Sequence, residues 1–523
     1  MLPRRSVICL RLARHRIQWQ RPPISGRVQR RHSTTSTTTS PAQLSCAASP
    51  LASITNELDK ISPRFDVSAD SIEILRSPNE FYETLKAKIA KARRRIYLAT
   101  LYVGKAEHEL IDTIRVALKA NPELKVSLLT DALRGTRETP EPSCASLLAT
   151  LISDFGPERV EVRMFHTPNL TGIRKKLLPK RINEGWGLQH MKLYGIDDEI
   201  IMSGANLSSD YFTNRQDRYH VFKSKQITDY FENVFQAVCG LSFRVLPSEQ
   251  PDGFVLDWPQ TNFQISPFDD RMGYIAFATK VLAPAMLPTH VSAPKTTDTQ
   301  VYPLLQLTPL LRPDTSNELP ALTRILKNLA TPEFEGSKWT FTAGYFNMTP
   351  EFRQLLLDSK PASGTIVAAS PWANGFYGSK GISGMLPAGY TYLSRAFLNA
   401  VSAAGLSRQI TVKEWRRGTV NTPDGWSYHA KGIWITLPGQ KYPAISVIGS
   451  SNYTKRSYSL DLEANTLIVT SNPGLQQKLG EEEQWLQKYA TKMTGDDYAK
   501  NERRVGLHVR LAMWIVSLVG GAL

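Results

Sequence analysis

From about residue 58 onward, the apolar positions alternate between two periods. Ser77-Pro78-Asn79-Glu80 is a helix start, with a capping serine, proline at the first helical position and an acid three residues after the cap. Phe81, Leu85 and Ile89 then mark one helical face. Residues 95–103 (RIYLATLYV) predict a buried strand. Leu110, Ile111, Ile114 and Leu118 share a helical face, 126–130 predict a strand, 143–154 a helix and 160–165 a strand. Strands alternating with helices imply an α/β sheet covered on both faces.

The same order returns further on. Residues 339–346 predict a strand, Thr349-Pro350-Glu351 opens a helix, 364–370 predict a strand, 390–404 a helix and 409–415 a strand. Between the two runs, residues 245–320 hold eleven of the 33 prolines and predict an irregular connection. Tyr102 closes a strand 88 residues before His190, and Tyr345 sits in a similar strand 84 residues before His429. The expected architecture is therefore α/β: two fused units with pseudo-twofold symmetry, each a mixed β-sheet flanked by helices.

Charge changes the reading of the N-terminus. The net charge is +16, but residues 1–40 carry nine arginines, no lysine and no acid, which leaves +7 for the rest of the chain. The first acidic residue is Glu57. An arginine-rich, acid-free segment without an uninterrupted apolar run fits a mitochondrial presequence and not a secretory signal. The expected division is 1–56 presequence and disordered tail, 57–244 first unit, 245–320 connection, 321–495 second unit, and 496–523 an amphipathic membrane-contact helix. The last follows from Leu511 to Leu523, too short to span a bilayer, preceded by Arg503, Arg504 and Arg510. The four cysteines form no CxxC pair, so neither a zinc site nor a disulfide framework is expected.

The candidate chemistry sits at one point of each repeat. In GLQHMKLYGID, His190 and Lys192 alternate along a strand and share a face; IIMSGANLSSDYFTNRQDR follows, with Asn206 and Asp217. In SYHAKGIWI, His429 and Lys431 do the same; ISVIGSSNYTKRSYSLDLEA follows, with Asn452 and Glu463. Asn206 to Asp217 and Asn452 to Glu463 are the same interval, eleven residues. A histidine can attack phosphorus or move a proton near neutrality. Lysines and asparagines supply charge and donors to non-bridging oxygens. A carboxylate at Asp217 or Glu463 can fix a histidine tautomer through its other ring nitrogen. Such a set performs phosphodiester transfer without a metal ion or other cofactor.

These residues resemble the paired HxKxxxxD…GxxN motifs of the phospholipase D superfamily. His190, Lys192 and Asp197 match the first copy; in the second, Thr436 stands where the acid is expected. Within the superfamily, QHMKLYGIDDEIIMSGANLSSDYFTNRQDRY, SPWANGFYGSKGISGMLPAGY and YHAKGIWI are most similar to the eukaryotic mitochondrial phosphatidylglycerophosphate synthases. The resemblance implies two phospholipase D-like units and transfer of a phosphatidyl group from CDP-diacylglycerol to glycerol 3-phosphate. It also implies His190 as nucleophile, His429 as general acid/base, and Lys192, Asp197 and Lys431 as catalytic partners. Asn206, Asn452, Asp217, Glu463 and Lys380, in the Gly-rich stretch 370–390, are the expected substrate-binding residues.

The expected partners are the two substrates and an anionic mitochondrial membrane surface, with the enzyme peripheral on the matrix side of the inner membrane; no nucleic acid is expected. The alternative reading is a mitochondrial phospholipase D-type hydrolase or nuclease that uses water as acceptor.

Overall fold

The computed structural model describes residues 49–177, 183–262, 265–291 and 297–518. The expected presequence lies outside the described residues. The first helix read from the sequence is Pro78–Ala90, capped by Ser77 and burying Phe81, Leu85 and Ile89.

Two large sheets carry the repeat. The first has nine strands, in the order Phe254–Asp257, Phe243–Pro247, Val160–Phe165, Lys125–Asp131, Arg95–Ala99, Leu193–Ile196, Glu199–Ser203, Tyr219–Phe222 and Ile72–Leu75. The second has ten: His290–Val291, Arg64–Val67, Thr299–Gln306, Glu463–Thr470, Ile445–Gly449, Lys431–Thr436, Lys338–Ala343, Ser363–Ala369, Ile410–Trp415 and Ala490–Lys492. In each sheet three strands run parallel and an antiparallel series carries the His-x-Lys segment. Both sheets are therefore mixed, and their centres are equivalent strand for strand.

The stretch 245–320 is more ordered than its prolines imply. Thr299–Gln306 pairs along its whole length with Glu463–Thr470, as Ile72–Leu75 pairs with Tyr219–Phe222 in the first sheet. It is the second sheet's counterpart of that edge. Pro303 is tolerated there because the strand on its other side, Arg64–Val67, pairs only with Thr299, Gln300 and Val301, so no ladder bond needs the missing N–H. The strand Arg64–Val67, close to the start of the first unit, thus belongs to the second sheet. Residues 271–282 form a helix that buries Tyr274, Ile275, Ala278 and Leu282.

Order also begins earlier than expected. Helix Pro50–Leu58 falls mostly within the stretch read as a tail, but Ser49 caps it and Pro50 occupies its first turn. Its Ile54 and Leu58 are buried in one cluster with Leu322, Ile325 and Leu326 of helix Glu318–Leu329.

One core cluster joins the halves, with Tyr97, Leu193 and Met202 from the first sheet and Trp434, Ala464 and Ile468 from the second. At its centre Arg218 is fully buried. It makes two bonds to Glu482, 2.9 and 2.8 Å, and donates to the Val447 carbonyl at 2.6 Å and Ser446 Oγ at 2.7 Å. His220 and Trp434 also bond to Glu482, each at 3.0 Å. Gly432 (φ +140°) makes room, since a Cβ there would stand 2.1 Å from Arg218 Nη1. No helix of the described residues is long and apolar enough to cross a membrane.

Candidate active site

The site is assembled by an exchange between halves. Ser427–Tyr428 pairs with Arg215–Gln216, and the His429 N–H donates to the Gln216 carbonyl at 2.8 Å. In the counterpart, the His190 N–H donates to the Leu462 carbonyl at 3.0 Å, and the Leu462 N–H donates to the Leu188 carbonyl at 2.8 Å. Gln216 precedes Asp217, and Leu462 precedes Glu463. The backbone therefore delivers each acid to the histidine of the opposite half. Asp217 Oδ2 lies 2.7 Å from His429 Nδ1, and the Glu463 oxygens lie 3.0 and 2.9 Å from His190 Nδ1. With the Nδ1 proton directed to a carboxylate, each imidazole keeps its Nε2 lone pair free for chemistry.

The lysines lie beside their own histidines. Lys431 Nζ donates to the His429 carbonyl at 2.7 Å and stands 3.5 Å from Asp217 Oδ2. Lys192 Nζ donates to the His190 carbonyl. Gly204 belongs to the small-residue run of the first half, yet it makes room for the second half's lysine. A Cβ there would meet Lys431 Nζ at 2.6 Å and Asp217 Oδ1 at 2.7 Å. Ser450 Oγ donates to Glu463 in the equivalent run.

Burial pushes both histidines well below their ordinary value, so both are held neutral. The two carboxyls differ. Burial pushes Glu463 up to about 7, against the pull of the Lys192 charge. Burial also opposes ionisation of Asp217, but the Lys431 charge and the His429 hydrogen bond outweigh it and hold Asp217 below its ordinary value. Burial brings Lys192 down to about 7. His429 therefore has an ionised partner throughout the neutral range, while the partner of His190 titrates within it.

Both histidines open into one cavity of about 420 Å³. Asn206 and Asn452 line it: Asn206 donates to Tyr211 Oη at 3.1 Å, and Asn452 Oδ1 is buried without a hydrogen-bond partner. Tyr211 and Tyr345 each present an edge to the His429 ring, with centroids 5.2 Å apart.

Asp217 and Glu463, expected to bind substrate, instead lie buried behind the histidines and do not line the cavity. Two other predicted residues stand away from the histidines. Asp197 is not in the site. It occupies the turn after Leu193–Ile196, at φ 51°, and its carboxylate accepts the backbone N–H groups of Arg93 at 2.9 Å, Arg94 at 2.8 Å and Arg95 at 3.2 Å. Five residues of extended chain from Lys192 put it roughly 15 Å from the lysine. Its work is to tie that turn to the start of strand Arg95–Ala99, which explains how Thr436, buried at the end of Lys431–Thr436, can replace its counterpart. Lys380 is exposed at the edge of the turn Gly381–Met385 and does not line the cavity, whereas Ser379 does.

The family described as "Cardiolipin synthase, PLD-like domain" matches residues 85–239. A CDP-diacylglycerol–glycerol-3-phosphate 3-phosphatidyltransferase of Saccharomyces pastorianus is 45% identical over 460 residues, covering 86% of this chain and 88% of the relative. The chain belongs to the CDP-diacylglycerol–glycerol-3-phosphate 3-phosphatidyltransferase family. Another member, named as mitochondrial, from Gallus gallus, is 35% identical over 488 residues, covering 86% of this chain and 83% of the relative. A phosphatidylserine synthase structure from Haemophilus influenzae superposes with a TM-score of 0.68 at 21% identity, covering 90% of this chain and 97% of that one, and shares the fold.

In this 3-phosphatidyltransferase family member, four arginines also line the cavity: Arg134, Arg137, Arg215 and Arg456. Each pairs with a carboxylate, respectively Glu138, Glu184, Asp210 and Asp461, at 2.8 to 3.1 Å, and Arg137 also stands 3.6 Å from Glu138. Arg215 is the most enclosed, with Nε on Ser427 Oγ at 2.9 Å and its guanidinium over the Tyr211 ring. Its neighbour Arg218 serves the interface instead. No short motif distinguishes these arginines from solvated ones, since only the folded chain brings them to one cavity.

Proposed function

We propose that the chain transfers the phosphatidyl group of CDP-diacylglycerol to glycerol 3-phosphate, giving phosphatidylglycerophosphate and CMP. The observation that carries this reading is the pair of neutral histidines in one cavity, each backed by the other half's carboxylate. His190 Nε2 attacks the phosphorus that bears the diacylglycerol. A nitrogen–phosphorus bond forms, the pyrophosphate P–O bond breaks, and CMP leaves with its electron pair. His429 then takes the proton from the acceptor hydroxyl as its oxygen attacks phosphorus and His190 departs. Lys192, Lys431, Asn206 and Asn452 stabilise the charge on the non-bridging oxygens. Its ionised Asp217 makes His429 the better base of the two, which supports this division of labour.

The enzyme is peripheral on the matrix side of the mitochondrial inner membrane. The arginine-rich first 32 residues direct import, and helix Leu507–Leu518 meets anionic lipid. Supporting this are the relatives named as mitochondrial and the exposed Leu507 and Leu511 beside Arg504 and Arg510. The test is CMP release from CDP-diacylglycerol in the presence of a metal chelator, with and without glycerol 3-phosphate. Release is expected to depend on the acceptor and to vanish in His190→Ala and His429→Ala. Release indifferent to the acceptor identifies a hydrolase instead.

A further inference from the structure

A phosphorus held at His190 and His429 leaves two acyl chains to be accommodated. The catalytic cavity has few apolar exits, because arginines, acids and asparagines make up much of its wall. At one side, however, Leu386 and Tyr390 line both this cavity and a second, wholly apolar cleft. The rest of that cleft comes from Ile382 and Met385, Gly389, and Val509, Ala512 and Met513 of the C-terminal helix. It is a narrow notch of about 60 Å³, with room for a short stretch of chain. Gly389 sets its width, since a Cβ there would stand 3.2 Å from Met513 Sδ.

The outer rim is apolar and exposed. Ile382 is 70% exposed, Leu507 80% and Leu511 57%. Uncompensated apolar groups of that size, on and beside a helix that follows Arg504 and carries Arg510, suit a lipid surface. The larger cleft on the same helix has a different character. It encloses about 620 Å³ but is lined by Arg395, Arg503, Arg504 and Arg510, which no acyl chain would enter.

We infer that the cleft between helix Leu386–Ala403 and helix Leu507–Leu518 grips a short stretch of one acyl chain of the phosphatidyl donor beyond its fourth carbon, leading it from the catalytic cavity to the membrane. The inference rests on the phosphatidyltransfer reading and adds the path of the lipid. The C-terminal helix is then part of the donor site as well as a membrane anchor. Apolar contact discriminates by chain length, because each buried methylene is worth roughly fourfold in binding.

The test fills the notch without touching the histidines. Ala512→Trp and, separately, Gly389→Leu are compared with the unaltered chain. CMP release is measured from dipalmitoyl and dibutanoyl CDP-diacylglycerol, with and without glycerol 3-phosphate, alongside sedimentation with anionic vesicles. The expected result is a loss of about tenfold in kcat/KM for the dipalmitoyl donor, equal to two or so methylenes. The dibutanoyl donor and vesicle binding should be unchanged. Equal losses with both donors, loss of vesicle binding alone, or no loss with either variant would overturn the inference. Acceptor dependence in the unaltered chain reports on the transferase reading separately, because a hydrolase would still release CMP and still reveal the chain-length ratio.

Discussion

Asp217→Asn tests the cross-half pairing most directly. The exchange preserves size at the 2.7 Å contact with His429 Nδ1 but removes the charge. An amide can present its NH₂ group to Nδ1, which moves the imidazole proton to Nε2 and blocks the base. Lys431 Nζ, 3.5 Å away, also loses its ionic neighbour in a buried site. Where a carboxylate orients a catalytic histidine, this exchange costs about 10⁴ in kcat, or about 5 kcal/mol of barrier. The two half-reactions should not suffer equally. CMP leaves as a phosphate ester whose second pKa is about 6, so it needs little help from an acid. The acceptor hydroxyl, near water's ~16, needs a base. In rapid-quench experiments with cytidine-labelled donor, Asp217→Asn should therefore release a burst of CMP close to one equivalent, then turn over slowly, with the phosphatidyl group trapped on His190. Glu463→Gln, acting on the nucleophile, should slow the burst itself. Near-normal turnover in Asp217→Asn, or uniform slowing of both steps, refutes the assignment.

Three further outcomes follow from the geometry. Glu463 holds its proton more tightly in the folded protein, at about 7 against 4.5 when unfolded. Stability therefore falls as pH rises through that window, by about 3 kcal/mol. Glu463→Gln lacks this titration, so its denaturation midpoint relative to the unaltered chain should rise between pH 4.5 and 7; parallel pH profiles would exclude the effect. Asp197→Ala removes the acceptor for three backbone N–H groups and should cost about 2–3 kcal/mol in urea unfolding, with kcat of the folded enzyme retained. Arg218→Met strands the Glu482 charge in the joint core and should cost about 3–5 kcal/mol, read in the same unfolding experiment; a smaller loss would show that Glu482 is neutral there.

Much of this site is visible in the sequence because alternation along a strand is a local property. His-x-Lys puts both side chains on one face wherever the strand goes, and the repeat locates both strands. The equal eleven-residue intervals marked Asp217 and Glu463 as equivalents, but which histidine each would serve depends on contacts spanning more than 200 residues. Asp197 was misassigned because a motif records which residue occurs, not where it points; the left-handed turn that sends its carboxylate to Arg93–Arg95 has no signature in residue type. Proline content points to an irregular connection across 245–320, yet a single proline in Thr299–Gln306 is harmless once the neighbouring strand has ended. Lys380 was proposed from the Gly-rich stretch around it, and that stretch does contribute Gly375, Phe376 and Ser379 to the wall.

The crossed carboxylates bear on how the chain matures. Synthesis presents the first half before the second. Until residue 463 arrives, His190 has no partner to set its tautomer, and until the halves dock, Asp217 has no histidine to serve. A nascent chain therefore lacks both histidine–carboxylate pairs until the halves dock, and a fragment released by proteolysis between the halves retains neither. Chemistry that needs both pairs therefore waits for the whole chain.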